Sequence, residues 1–110
     1  NVPPDKVFLY YNAATVTVLT SFHEGSPNVI KEAIACNCSV VATPVGDVPE
    51  LIEDIENCYI SKLDPESIAD KIKMVLKTNQ RFITRKKILH LDDKIIANKI
   101  ISVYKTMIDK

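Results

Sequence analysis

A helix start that could hold an anion is predicted at residues 24–29, whose sequence is EGSPNV. The Ser26 hydroxyl suits the N-cap position, and Pro27 suits the first helical position, where no backbone N–H is needed. The N–H groups of Asn28 and Val29 are then unpaired and lie at the positive end of the helix dipole. Such a pair of amides can bind a phosphate or diphosphate.

Two carboxylates flank this helix start with seven residues between them, Glu24 before the turn and Glu32 inside the helix. They would repel a bare phosphate, so both are better suited to accept hydrogen bonds from sugar hydroxyls on either side of the phosphates. A nucleotide-sugar has this arrangement of groups. The alternative for Glu32 is an ordinary surface glutamate paired with Lys31. His23 could hydrogen-bond a phosphate or hydroxyl, although a lone loop histidine usually has no such role.

The chain has two glycines, Gly25 and Gly46, and each lies in a loop that follows an apolar run. Glycine is needed where the backbone takes a positive φ or where a ligand touches the main chain. Both fall at the predicted carboxyl ends of strands, where ligands bind in an open parallel sheet. We expect the amides after Gly46 to form a second anion-binding group. Glu50 could reach the sugar or nucleotide hydroxyls or have a surface role, and Asp47 suits the N-cap of the helix that follows.

Three short apolar runs predict parallel strands covered on both faces, at residues 16–19, 39–43 and 58–61. A first helix is predicted after an Asp5 cap, a second over residues 27–36, and a short third helix that ends at residue 52. A fourth follows the DPES capping pattern at 64–67, and the chain from Gln80 onward is predicted to be helical in two pieces. Asn37 suits a left-handed helix end. The fold class is therefore α/β, with about three parallel strands flanked by helices.

Apolar spacing predicts which helix faces are buried. The helix over residues 27–36 should bury Val29, Ile30, Ala33, Ile34 and Cys36, and the first helix should pack through Val7, Phe8, Tyr11 and Ala14. Tyr10 and Tyr11 are interpreted as packing residues. The last helix has a broad apolar face formed by Ile95, Ile96, Ile100, Val103, Tyr104 and Ile108.

These motifs resemble the donor-binding motif of the retaining glycosyltransferases of group 1. The matching segments are EGSP at residues 24–27, KEA at 31–33 and SVVATPVGDVPELI at 39–52. The upstream YYNAATVTVLTS and the VY pair at 103–104 also match, so the resemblance covers essentially the whole chain. The chain has AT at 14–15 where the family usually has Ala-Asp, and NC at 57–58 where it often has Asn-Gly.

The resemblance implies the GT-B architecture, in which two Rossmann-like domains hold the acceptor between them. Residues 1–110 would form half of the C-terminal, donor-binding domain, without the N-terminal acceptor domain and without the Arg and Lys that clamp the diphosphate. In the family, the position of Glu24 lies beside the donor sugar and that of Glu32 holds the ribose hydroxyls, while backbone at 25–29 meets the sugar or diphosphate. Glu24 is the candidate catalytic residue, in a donor-positioning role, since no enzymic nucleophile is firmly established in the family.

The implied reaction is transfer of a hexose from a nucleotide-sugar to a saccharide or lipid-linked acceptor in glycan biosynthesis, and we expect the fragment alone to be inactive. No metal or cofactor is expected, because the amides and helix dipole replace a metal and no Asp-x-Asp pair is present. We also expect homo-oligomers, because the first strand should be an open sheet edge and the last helix has an uncovered apolar face.

Composition limits the other functional classes. The chain has 46% hydrophobic residues, enough for one small core, and no apolar run long enough to span a membrane. Three cysteines, an odd number, are interpreted as small buried thiols in a reducing compartment, so a cytoplasmic location is expected. Residues 1–61 carry a net charge of −6 and residues 62–110 of +6, and the overall neutrality argues against nucleic acid. The basic cluster Arg81, Arg85, Lys86 and Lys87 is interpreted as a solvated helix face, with an anionic membrane surface or an absent domain as alternatives.

Two other functions remain open from the sequence. One is a different GT-B-like enzyme, such as a nucleotide-sugar epimerase or a phosphorylase, which the helix-start motif fits less well. The other is a non-catalytic α/β module of the response-regulator type. That module needs clustered acids at the strand ends, where this chain has Thr20, Thr43 and Ser61.

Overall fold

The computed structural model describes residues 2–78 and 80–108, and its elements follow the predicted order up to residue 78. In chain order they are α1 (Val7–Ala13), β1 (Val16–Leu19), α2 (Asn28–Ala35), β2 (Ser39–Ala42), α3 (Val48–Ile52), β3 (Tyr59–Ile60), α4 (Pro65–Lys77), two 3₁₀ turns (Arg85–Lys87 and Leu89–Leu91) and α5 (Asp93–Ile108). Within these described residues, no helix is both long and apolar enough to cross a membrane.

The three strands form one parallel sheet in the order β1-β2-β3. Val16 lies opposite Ser39 at the start of the β1–β2 pairing, and Val41 lies opposite Tyr59 in the shorter β2–β3 pairing. All four residues of the central strand β2 are buried, as a strand covered on both faces requires. The predicted α/β class is confirmed: three parallel strands flanked by helices form half of a Rossmann-like domain.

The hydrophobic core forms where α2 packs against the sheet, and α3 adds Val48 and Ile52 to it, while α4 also contacts β1 and β2. Ile30, Ala33 and Ile34 of α2 are completely buried, with the i, i+3, i+4 spacing of one helix face. Val29 is 39% exposed, since it lies about 100° around the helix from Ile30. The predicted burial of Val29 is therefore wrong, and Cys36 lies just past the helix, where it is half-buried.

Outside the candidate site, the predicted helix caps at Asn37 and Asp64 are confirmed, and the predicted cap at Asp5 is wrong. Asn37 adopts the left-handed conformation after α2, with φ 58°. The Asp64 carboxylate caps α4 by accepting a hydrogen bond of 2.7 Å from the Ser67 N–H. Asp5 does not cap α1, because the Lys6 N–H bonds the Pro3 carbonyl at 2.9 Å in a turn that places Lys6 at the N-cap.

The segment after α4 differs from the predicted helix because it binds the end of α2 instead. Residues 81–84 are not helical, and the Arg81 guanidinium donates hydrogen bonds to the carbonyls of Tyr11, Ala14 and Cys36 at 2.8, 3.0 and 3.1 Å. The Thr84 hydroxyl donates to the Ile34 carbonyl at 2.9 Å, and Arg85 Nε donates to the Ala35 carbonyl. The last carbonyls of a helix lack intrahelical partners, so these donors satisfy them. The interpretation of Arg81 and Arg85 as a solvated helix face is therefore wrong.

The last helix, α5, extends away from this core. None of its described residues is buried, and the described chain measures 55 × 28 × 27 Å along its principal axes. The predicted apolar face is present but uncovered, with exposed side chains at Ile95, Ile96, Ile100, Ile101, Val103, Tyr104, Met107 and Ile108.

We expect the chain to self-associate through this face, because such a large exposed apolar surface favours burial against a second copy. The β1 edge of the sheet is a further surface for pairing. Sedimentation velocity at micromolar concentration should show a species larger than the monomer. Ile100→Lys, in the middle of the face, should shift it to monomer, whereas Asn98→Lys on the polar side should not. A monomer at all concentrations for the unmodified chain would contradict this prediction.

Candidate functional site

The start of α2 differs in detail from the predicted helix start but keeps its free amides. Pro27 occupies the N-cap position, so the first helical residue is Asn28. The Ile30 N–H bonds the Pro27 carbonyl at 3.3 Å. The N–H groups of Asn28 and Val29 donate to no acceptor within the described residues. Two backbone donors are therefore available to an anion at the positive end of the eight-residue helix.

The predicted Ser26 cap is wrong because the Ser26 hydroxyl has another partner. It donates a hydrogen bond to Asp47 Oδ2, in the loop before α3. Asp47 does occupy the N-cap position of α3, as predicted, but no side-chain capping bond to α3 is formed within the described chain. The contact instead joins the two loops that follow β1 and β2.

The two glycines lie against each other where these loops meet. The Asp47 N–H donates to the Gly25 carbonyl at 3.0 Å. Gly46 has the predicted positive φ, 52°, and a Cβ at this residue would lie 1.9 Å from the Gly25 oxygen and 2.6 Å from the Glu24 carbonyl oxygen. Gly25 does not have a positive φ, and a Cβ there would meet no described atom within 4 Å. Close approach of a ligand remains the predicted reason for glycine at position 25.

The predicted second anion-binding group after Gly46 is not available. The Asp47 N–H is bonded to Gly25, and the Val48 N–H donates to the Val45 carbonyl at 3.1 Å. Residue 49 is a proline and has no N–H. The Asp47 and Val48 amides are thus used within and between the two loops, whereas those of Asn28 and Val29 at the α2 start are free within the described chain.

The flanking glutamates are both exposed, and each accepts a hydrogen bond from a neighbouring hydroxyl. Ser21 Oγ donates to Glu24 Oε1 at 3.1 Å, within the loop after β1. The Tyr11 hydroxyl, from α1, donates to Glu32 Oε2 at 3.0 Å. Glu32 faces out of the core, and its hydrogen-bond partner is Tyr11 rather than Lys31. His23 is exposed in the same loop as Glu24.

The contact of Tyr11 with the candidate site residue Glu32 was not predicted from the sequence. Only 8% of the Tyr11 surface is exposed, and its ring belongs to the core cluster. Burial, together with the Glu32 carboxylate, raises the pKa of Tyr11 to about 12. The hydroxyl is therefore protonated at neutral pH and is a permanent donor to Glu32. The prediction that Tyr11 packs is confirmed, whereas Tyr10 is 62% exposed.

Two open grooves border the site on the side of the 3₁₀ turns. Asn28 and Glu32 line the first, of about 570 Å³, which also includes Lys31 and Arg85. Glu50 and Asp47 line the second, of about 400 Å³, with Lys87, His90 and Asp54. Leu91 borders both grooves. Glu50 and Glu32 thus line separate grooves, so the structure does not bring all the predicted donor-binding residues into one cavity.

Chemically, the α2 start combines anion donors with sugar-hydroxyl acceptors. The free amides of Asn28 and Val29 lie between the carboxylates of Glu24 and Glu32 along the chain. Within residues 2–78 and 80–108, no three His, Cys, Asp or Glu side chains are grouped as metal ligands would be. The predicted absence of a metal remains a prediction.

Comparison with known proteins identifies the family. The sequence model of the group 1 glycosyl transferases matches residues 1–78, which include every predicted site residue. The chain is 35% identical over 81 residues to the D-inositol 3-phosphate glycosyltransferase of Acidothermus cellulolyticus, an alignment covering 73% of this chain and 18% of that protein.

Two further relatives give the same result. A putative teichuronic acid biosynthesis glycosyltransferase of Bacillus subtilis is 35% identical over 71 residues, covering 64% of this chain and 18% of the relative. A D-inositol 3-phosphate glycosyltransferase of Thermobifida fusca is 35% identical over 75 residues, covering 67% and 17%. The chain thus spans less than a fifth of the length of these relatives. Because the family match covers well over half of its residues, the chain belongs to the group 1 glycosyl transferases.

Proposed function

We propose that this chain binds the nucleotide-sugar donor of a retaining GT-B glycosyltransferase that transfers a hexose to a saccharide or lipid-linked acceptor. The observation that carries the proposal is the pair of free amides at Asn28 and Val29, flanked by Glu24 and Glu32. Glycan biosynthesis in the cytoplasm, with the enzyme at the inner face of the membrane for a lipid-linked acceptor, is the setting that fits such a reaction.

The diphosphate would occupy the positive end of α2. Two backbone N–H groups and the helix dipole offer anion binding without a cation. Pro27 is buried against the core, so the backbone that presents these amides is held in place. The contact between Gly25 and Gly46 fixes the loop between β1 and α2, so we expect the site to be formed before the ligand binds.

The two carboxylates would recognise the groups on either side of the diphosphate. Glu32 lines the first groove and would accept hydrogen bonds from the ribose hydroxyls. Glu24, in the loop before α2, would accept hydrogen bonds from the donor sugar and hold its anomeric carbon toward the acceptor. His23 and Glu50 remain proposed donor contacts.

In the reaction, the bond between the anomeric carbon and the diphosphate oxygen breaks, and a bond to an acceptor hydroxyl oxygen forms. The diphosphate leaves with the bonding electrons, and the amides of Asn28 and Val29 would stabilise its added charge. The proton of the acceptor hydroxyl would pass to the departing diphosphate oxygen, so that the products are the glycoside and the protonated nucleoside diphosphate. We assign no proton transfer to Glu24, and we expect the 110 residues alone to bind donor without forming a glycoside.

Glu32→Ala should weaken binding of a nucleoside diphosphate but leave binding of inorganic pyrophosphate nearly unchanged, because the proposed partner of Glu32 is the ribose. The loss of one such acceptor should reduce nucleoside diphosphate affinity about fivefold to a hundredfold. Isothermal titration calorimetry with uridine, guanosine and adenosine diphosphates, each compared with pyrophosphate, measures both quantities.

Glu53→Ala is the matched control for this experiment, since Glu53 is an exposed glutamate just after α3, outside both grooves. It should bind all ligands as the unmodified chain does. Equal losses for nucleoside diphosphate and pyrophosphate in Glu32→Ala would mean that Glu32 supports the helix instead of binding the ribose. No binding of any nucleoside diphosphate by the unmodified chain would overturn the proposed function.

A further inference from the structure

The Glu32 carboxylate is held by a residue that the proposed function does not use. Tyr11 lies in α1, 21 residues before Glu32, and its hydroxyl donates to Glu32 Oε2 at 3.0 Å. No other described residue donates a hydrogen bond to this carboxylate. One glutamate oxygen is thus fixed by the protein while the other is open to a ligand in the first groove.

The two ends of this hydrogen bond differ in mobility. The Tyr11 ring is packed in the core cluster, so the position of its hydroxyl is set by the same contacts that hold α1 to the sheet. Glu32 is an exposed glutamate on a helix surface, whose three side-chain torsions would otherwise be free. A rigid donor that bonds a mobile carboxylate reduces the number of orientations the carboxylate can take. Ordering the side chain before binding removes part of the entropy cost that the ligand would otherwise meet.

The protonation state of Tyr11 also makes it the donor and Glu32 the acceptor in this hydrogen bond. The raised pKa of Tyr11, about 12, keeps its hydroxyl protonated at neutral pH, so Tyr11 is the donor in this hydrogen bond. A carboxylate that accepts from tyrosine through one oxygen still has lone pairs on the other for two ribose hydroxyls.

We propose that Tyr11 is a positioning residue that orients Glu32 for the ribose of the donor. This inference rests on the proposed function and deepens it. Tyr11 itself touches no ligand in this arrangement. Removal of the Tyr11 hydroxyl should therefore weaken binding only of ligands that contact Glu32. A general effect on folding would weaken binding of all ligands.

Tyr11→Phe removes the hydroxyl and keeps the buried ring. We expect affinity for the best-bound nucleoside diphosphate to fall about threefold to tenfold, and affinity for inorganic pyrophosphate to stay the same. The 2′,3′-dideoxynucleoside diphosphate lacks the ribose hydroxyls, so its affinity should also be the same in both proteins. Calorimetric titration of the 110-residue chain measures these ratios. Tyr10→Phe is the matched control, because Tyr10 is exposed, and it should change none of them.

Combining Tyr11→Phe with Glu32→Ala provides the second test. If Tyr11 acts through Glu32, the double variant should bind the nucleoside diphosphate as weakly as Glu32→Ala alone. The positioning role would be overturned if the affinity losses of the two single variants added up in the double variant. It would also be overturned if Tyr11→Phe weakened binding of pyrophosphate and of the dideoxy ligand as much as binding of the nucleoside diphosphate. A wild-type affinity in Tyr11→Phe alongside a loss in Glu32→Ala would also overturn it while leaving the proposed function intact. No nucleoside diphosphate binding by the unmodified chain would overturn both.

Discussion

Gly46→Ala should destabilise the chain by about 3 kcal/mol or more, because an alanine at this position has two separate costs. The backbone φ of 52° disfavours any residue with a Cβ, at a cost of about 1–2 kcal/mol. The added Cβ would also lie 1.9 Å from the Gly25 carbonyl oxygen, a backbone atom that cannot move without breaking the hydrogen bond from Asp47. Urea unfolding followed by circular dichroism measures the loss of unfolding free energy.

Gly25→Ala is the matched comparison at the other side of the same contact. Its φ is not in the left-handed region, and the new methyl group would meet no described atom within 4 Å. We expect its free energy of unfolding to stay within about 0.5 kcal/mol of the unmodified chain. If both alanines were tolerated equally, the two loops would not be in contact in solution. A loss of nucleoside diphosphate binding in Gly25→Ala without a loss of stability would support close approach of a ligand at Gly25.

The sequence was most informative where a feature depends on neighbouring residues. Short apolar runs predicted all three strands, and the run at residues 16–19 is also rich in β-branched residues. Asn37 and Asp64 were predicted as helix ends because their side chains and backbone preferences act within a few residues. The position of the candidate site also follows from local signals, since both glycines and both glutamates fall after the strands or at the α2 start.

The features that the sequence could not predict are contacts between distant residues. Ser26 is well suited to cap α2, yet its hydroxyl bonds Asp47, 21 residues away. Tyr11 has the helical spacing of a packing residue, and only the packing of α1 against α2 brings its hydroxyl to Glu32. The amides after Gly46 were predicted to be free because nothing in the sequence shows that the two loops bond each other. In each case the neighbouring residues predicted one role for a group, and in the folded chain that group bonds a residue far away in the sequence.

The segment after α4 shows the same limit on a larger scale. Charge and helix propensity around Arg81 and Arg85 favoured a solvated helix, but the unpaired carbonyls at the end of α2 and near the end of α1 bind these side chains. Asn37 takes part through its side chain, which accepts from the N–H groups of Thr84 and Arg85, each at 2.9 Å. The segment after α4 therefore bonds the C-terminal end of α2. The candidate anion site lies at the other end of this helix, where the free amides are.

Arg81→Ala should lower the free energy of unfolding by about 2–3 kcal/mol, because it removes three charge-assisted hydrogen bonds. Each of these bonds contributes less than a buried one would, since the Arg81 side chain is partly in water. For a chain of this size, that loss corresponds to a decrease of about 10 °C in Tm. Differential scanning calorimetry measures the change. Arg81→Lys should recover only part of the stability, since a single ammonium cannot match the fork of donors that reaches three carbonyls.

Lys86→Ala is the control, because Lys86 is an exposed cation in the same basic cluster and makes no hydrogen bond through its side chain to any described residue. It should change the free energy of unfolding by no more than about 0.5 kcal/mol. The pair separates the two roles of the cluster, since both variants remove one positive charge and only Arg81→Ala removes contacts with α1 and α2. Equal Tm values for the two variants would show that the cluster is a solvated surface after all, and that α2 is held without the segment that follows α4.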